Sequence, residues 1–343
     1  VAATLTLVIF LADARMAQAI HVRTAMSHRG QLGEQAMVAA KKSRYTLVKG
    51  KYWIHNPDKP RQGPQPDGDT VAFIPDSLDV VRQLRKISGR PADIHGGRIN
   101  VRYEGIDALE THFQGAHQEL KFALAARDRN LALLGFKNVR FFADLPNVVQ
   151  SVDQNPLLGY VLANGIEANG RLLGLVYAGA PGHDDGERVF IDTAMLDQSV
   201  NAKLVAAGLA YVEPYDSMPM SLVKHLRDVV HKVRRANEGF FPHESVTTEK
   251  AALIQKIEDA QALVMWPKLF RRLATFLDEG HVGIAQFDEW IRDDPVHRDD
   301  TLRLPDGEKG NMHDTFTIDG DKLQLRFHPE DLLITPDPTP VPN

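Results

Sequence analysis

The chain contains no cysteine, which excludes disulfides, thiolate nucleophiles and Cys-based zinc sites. It contains no run of the ~20 consecutive apolar residues that a membrane-spanning helix needs. It has no excess of positive charge: the formal net charge is −5 over 343 residues. A nucleic-acid partner must therefore be met by a local basic patch rather than by the whole surface. Internal repeats are absent, and no His-Glu-x-x-His occurs among the 14 histidines. His112 and His117, five residues apart, do not make the helical metal pair that such a motif supplies. What is present is ordinary for a globular protein, 43% hydrophobic and 25% charged, with length for one large or two ordinary domains.

Val1 to Ala12 is almost unbroken apolar sequence, and Ala17-Gln18-Ala19 has the small-x-small form of a signal-peptidase site. Residues 1–19 read either as a signal remnant, which favours export, or as a buried strand such as Leu5 to Phe10. The other end, from Pro336 to Pro342, has proline at alternate positions and reads as an extended tail.

Chemistry concentrates in Arg98 to Thr111, RINVRYEGIDALET. Ile99, Val101 and Tyr103 alternate with Asn100, Arg102 and Glu104, the pattern of a half-buried strand. Asp107 and Glu110 follow Arg102 within a few residues. A guanidinium and two carboxylates at one strand end suit phosphate binding beside a hard cation and a general base. Upstream, Tyr45 to Ile54 is β-rich, and Asp67-Gly68-Asp69-Thr70 runs into Val71 to Ile74. Asp-Gly between two β-rich runs predicts a hairpin, with Asp69 at the start of its second strand. Arg82, Arg85, Lys86, Arg90 and Arg98 make residues 77–97 basic. A helix is predicted over Gly115 to Leu134, and Arg171 opens a strand after Asn169-Gly170. Another helix is expected over Ala194 to Ala207, and Met218 to Ala236 is strongly amphipathic. Beyond Glu244, helices are predicted over Glu249 to Trp266, where Pro267 should break the run, then over Leu269 to Leu277 and Ile284 to Ile291. A charged loop over Asp293 to Gly310 and a hairpin around Asp319-Gly320 complete the chain.

This order of elements resembles the staphylococcal nuclease (thermonuclease) family. The resemblance rests on Asp67 to Thr70, on Arg102, Asp107 and Glu110, and on Gly170-Arg171 with Leu175 to Ala178. It rests also on Val200-Asn201 with Leu204-Val205 and Gly208-Leu209-Ala210, and on Gly239-Phe240-Phe241. It covers residues 45 to 245. It implies an α+β fold: a five-stranded OB-fold β-barrel with three helices (SNase-like). To this the chain adds a C-terminal, mainly helical extension with a β-hairpin over 246–335, an N-terminal segment over 1–44 and the tail at 336–343. Two departures stand out. Ala108-Leu109 replace the family's usual Thr-Pro, and Tyr211 and Tyr215 only neighbour the positions of the nucleoside-covering tyrosines. The insertions at 77–97 and 144–168 are expected to reshape the cleft.

Carried onto this sequence, the resemblance implies that Asp69 and Asp107 hold a Ca²⁺ with the backbone carbonyl of Ala108. Glu110 becomes the general base, and Arg102 and Arg171 grip the scissile phosphate. The residue types suit those roles. Calcium takes several oxygen ligands, arginine stays charged and binds phosphate bidentately, and a metal with two arginines neutralises charge growing on phosphorus. The implied activity is Ca²⁺-dependent hydrolysis of DNA or RNA phosphodiesters by metal-assisted water attack. The alternative is a catalytically silent module of the same fold that binds nucleic acid or protein.

Overall fold

Alternating apolar and polar residues build the strands that carry the site. A computed structural model describes residues 44–335. The readings made of residues 1–19 and of the tail at 336–343 lie outside the described residues.

Strand β1 (Arg44–Trp53) pairs antiparallel with β2 (Thr70–Pro75), Gly50 opposite Pro75 and Trp53 opposite Ala72. A short helix α1 (Leu78–Arg82) follows, then β3 (Ile99–Tyr103) and the two-residue β4 (Ile106–Asp107). In β3 the expected alternation holds: Ile99, Val101 and Tyr103 are buried, Asn100 is exposed and Arg102 is half-buried. Helix α2 (Leu120–Leu134) ends at Gly135, whose φ of 98° is the left-handed cap. A small ribbon, β5 (Arg140–Phe141) with β6 (Val149–Ser151), leads to β7 (Leu157–Ile166) and β8 (Leu172–Ala178). β8 lies antiparallel to β7 and parallel to β3. The order β2-β3-β8-β7-β1, with β1 returning to β2, is a closed five-stranded mixed barrel; β9 (Arg188–Phe190) flanks β1. With the surrounding helices this is an α+β fold.

The helix predicted over Ala194 to Ala207 is two helices, α3 (Thr193–Gln198) and α4 (Val200–Ala206). Ser199 divides them: its backbone is extended and its Oγ accepts from Ala202 N at 3.1 Å, capping α4. Asn201 then ties α4 to the barrel. Its Nδ2 donates to Glu104 O (2.9 Å) and Gly174 O (3.2 Å), and its Oδ1 accepts from Val176 N. Strand β10 (Tyr211–Val212) pairs with β4, Tyr211 opposite Asp107, so the carboxylate sits on a hydrogen-bonded edge. The amphipathic α5 (Met220–Arg235) buries Leu222, Val223, Leu226, Val230 and Val233. The Asp67-Gly68 pair is not a two-residue hairpin turn. It ends a long loop between β1 and β2, and Asp67 N donates to Thr70 O at 3.0 Å.

Beyond residue 245 a second hydrophobic core forms around Trp266, Phe270, Phe276, Phe287, Leu302 and Phe316. It contains β11 (Ala251–Leu253), α6 (Ile257–Gln261), α7 (Pro267–Asp278) and α8 (Phe287–Arg292). Then come β12 (Thr301–Arg303), β13 (Lys309–Asn311), the expected hairpin β14 (Phe316–Asp319) with β15 (Lys322–Leu325), and β16 (Leu333–Ile334). Two predictions fail locally. Glu249 to Trp266 is a strand and one helical turn rather than a helix, and Pro267 starts α7 instead of breaking a helix. Proline at the first helical position loses no hydrogen bond, because that amide has no partner in the helix anyway. The loop expected over Asp293 to Gly310 carries β12 and the start of β13, too short to show a period in sequence.

Candidate active site

The site is built where the β2 entry, the β3–β4 turn and α2 meet. Gly68 has no room for a side chain: a Cβ there would lie 2.5 Å from Ala108 Cβ and 2.9 Å from Ala126 Cβ. The Asp67–Asp69 segment therefore presses directly on the 107–110 turn. A small residue at 108 makes that approach possible. Gly105, at φ 79°, makes the β3–β4 turn that a β-branched residue would resist.

These close approaches bring the charges together. Asp69 Oδ2 accepts from Ala108 N at 2.8 Å and pairs with Arg102 Nη1. Arg102 Nη2 donates to Asp107 Oδ1 at 2.6 Å. Asp107 is 0% exposed. Burial alone would raise its pKa, but Arg271 and Arg102 overturn that and hold it well below the usual carboxylate range. Glu110 is raised by burial and by the nearby Asp107 and Asp69 charges, against the pull of Arg271. Asp67, buried with Glu110 and Asp69 for neighbours, is pushed well above its ordinary value. The observed part of Ala108 is its amide, which donates to Asp69.

A pocket of about 690 Å³ opens onto this cluster. Asp69, Arg102, Glu110 and Arg171 line it; Asp107 and Ala108 are not among the lining residues, and Asp107 joins the site through the two arginines. Arg171, 30% exposed, is turned to Glu167, Nε to Oε1 at 3.2 Å and Nη2 to Oε2 at 3.3 Å. Residues 77–97 and 144–168 both reach the pocket, through Ser88 and Arg90 and through Glu167. Tyr215 lines it too, whereas Tyr211 is buried in the barrel core beside Phe240. His112 lines the pocket with its pKa lowered by burial, and His117 does not line it.

The chain matches no protein-family model and no curated protein.

Four groups had no assigned role in sequence. Arg271 on α7 bonds Asp107 and Glu110. Asp67 belonged to a motif but not to the metal set. Glu213 is fully buried, accepts from Trp266 Nε1 at 2.7 Å, and lies 4.0 Å from Arg102 Nη2. Burial and Asp107 raise it to about 7. Lys268 is buried against Asp300 at 3.3 Å, which keeps it charged despite burial. Only Asp67 left a signal, its place in Asp-Gly-Asp-Thr; Glu213, Lys268 and Arg271 fall outside the quoted motifs.

The donors suit a hard cation in kind, since Asp67, Asp69, Asp107 and Glu110 offer only oxygen. Burial, with the Glu110 and Asp69 charges beside it, pushes Asp67 well above its ordinary value, and a cation placed among these carboxylates would relieve that repulsion. In the arrangement seen, arginines occupy the oxygens of Asp107. No group of three or more His, Asp or Glu among the described residues is spaced to hold a metal ion. Among the described residues, no helix is long and apolar enough to cross a membrane.

Proposed function

We propose that this chain is a metal-dependent phosphodiesterase of the staphylococcal nuclease type, with an OB-fold barrel, acting on DNA, RNA or both. One observation carries the reading. Asp69, Arg102, Glu110 and Arg171, from four separate segments, converge on one pocket, with Asp107 directly behind. Its volume of about 690 Å³ is in the range of small-molecule sites, enough for a nucleotide unit.

The chain's own groups divide the work. Burial raises the proton affinity of Glu110 above that of an ordinary carboxylate, which suits a group that takes a proton from water. Arg102 and Arg171 are permanent bidentate donors for phosphate oxygens, most valuable when charge builds on phosphorus. Arg171 is the arginine whose present partner a phosphate can replace, because its half-buried pair with Glu167 is the weakest of the site's ion pairs to give up. Asp69, Asp107 and the Ala108 carbonyl are the proposed ligands of Ca²⁺. Bound, the metal would supply Lewis-acid neutralisation of the reacting phosphate.

A binding module without turnover is the second reading, favoured by the saturation of Asp107 with two arginines. Incubation of single-stranded DNA and of RNA with Ca²⁺ or with EDTA separates the two. Cleavage with Ca²⁺ and none with EDTA is expected; binding without cleavage in either would support the module.

A further inference from the structure

The carboxylates of the site already hold a cation, and it comes from the C-terminal core. We propose that Arg271 is a resident competitor for the divalent cation at Asp107, and that metal binds only when its guanidinium leaves that carboxylate and the neighbouring Glu110. This rests on the metal-dependent reading above.

Arg271 stands on α7, 161 residues beyond Glu110 and 164 beyond Asp107. Its Nη2 donates to Asp107 Oδ2 at 3.0 Å, and its Nη1 to Asp107 Oδ1 at 3.2 Å and Glu110 Oε1 at 2.5 Å. Asp107 Oδ1 also accepts from Arg102, so both its lone-pair sites are used. The guanidinium thus bridges the second proposed metal ligand and the proposed base. A hard cation uses the same carboxylate oxygens. A divalent and a monovalent charge on one fully buried carboxylate repel strongly, with little water to screen them.

The placement is wired, not incidental. Gln118, fully buried, accepts from Glu110 N at 3.2 Å and donates its Nε2 to Met265 O at 2.8 Å, two residues before α7. Trp266 is bonded to Glu213 at the other side of the helix start. Both links aim α7 at the site. Arg102 differs in kind. It belongs to the barrel, holds Asp69 as well as Asp107, and has a proposed phosphate to bind. Among the described residues the Arg271 guanidinium bonds only these carboxylates, yet its side chain is 19% exposed and lines the pocket, which gives it a way out.

Calorimetric titration of the full chain with Ca²⁺ tests this directly, with folding checked by circular dichroism. Arg271→Gln should bind Ca²⁺ at least tenfold more tightly than the wild type, and Asp69→Asn should abolish binding in both backgrounds. Unchanged or weaker binding by Arg271→Gln, with Asp69→Asn still abolishing it, would overturn the competition and leave the metal reading standing. Absence of Ca²⁺ binding by wild type and variant alike would overturn both. Should Arg271→Gln fail to fold, Arg271→Lys, whose single ammonium cannot span both carboxylates, should tighten binding severalfold; affinity equal to the wild type would overturn the proposal.

Discussion

Asp107 and Glu104 stand on either side of one turn, three residues apart, and both are 0% exposed. On the pocket side, two arginines meet Asp107 and hold its proton affinity well below the usual carboxylate range. On the other side, Glu104 receives a hydrogen bond from Asn164 Nδ2 and forms no ion pair among the described residues; burial raises it to about 7. Its Oε2 and Tyr45 Oη are buried without a completed hydrogen bond. The same depth therefore produces opposite proton affinities. Burial sets the penalty, and the presence of a cation decides its sign. The region around Asp107 is a charged centre, whereas that around Glu104 is an incompletely bonded polar corner of the barrel.

The largest effect should come from breaking the charged centre. Asp107→Asn leaves Arg102 and Arg271 without their shared partner and should cost about 3–5 kcal/mol in urea unfolding. A loss within experimental error would mean that the arginines find equal partners elsewhere. The next effect sharpens the contrast. Glu104 has its pKa raised from 4.5 to about 7, so the folded state binds the extra proton between those values. Its stabilising contribution is fully present below the unfolded value and is lost as pH rises through the folded one. Glu104 should contribute a fall of up to about 3 kcal/mol across that window, and Glu104→Gln should remove that share, leaving the part that Glu213, also raised to about 7, supplies. Asp107 works in the opposite sense. Its contribution is present above its ordinary value of 3.8 and disappears as pH falls into the acid range. A Glu104→Gln profile identical to wild type would remove Glu104 from the account.

The smallest effect on stability belongs to the pocket rim. Arg171→Ala removes a partly exposed pair with Glu167 and should change unfolding free energy by less than about 1 kcal/mol. Turnover should nevertheless drop at least tenfold, because the grip on phosphate is needed most in the transition state. A rise in KM with kcat unchanged would contradict that role.

The strands were readable because they carry period-two patterning and their turns carry glycine; the five-stranded barrel itself was expected from the family resemblance, and the structure closes five strands into one. Asp69, Arg102, Asp107 and Glu110 could be singled out in sequence because short motifs fix their order along the chain. Arg271 was not. It lies off the apolar stripe of α7, where Leu269, Phe270, Leu273 and Leu277 are buried, and an arginine on that side reads as a solvated face. Only the packing of the second core against the barrel turns it inward. Pro267 misled for a related reason: proline breaks a helix or begins one, and tertiary context chooses. Ser199 hid a boundary inside an otherwise helical pattern, since a capping hydroxyl is indistinguishable in sequence from a surface serine.

The proposed activity of this pocket is hydrolysis of phosphodiesters with Glu110 as the base. Single-turnover cleavage of single-stranded DNA or RNA by Glu110→Gln, in Ca²⁺ and at equal bound substrate, tests it most directly. Loss of at least a hundredfold in rate with substrate affinity retained is the outcome predicted; a rate equal to wild type would contradict it.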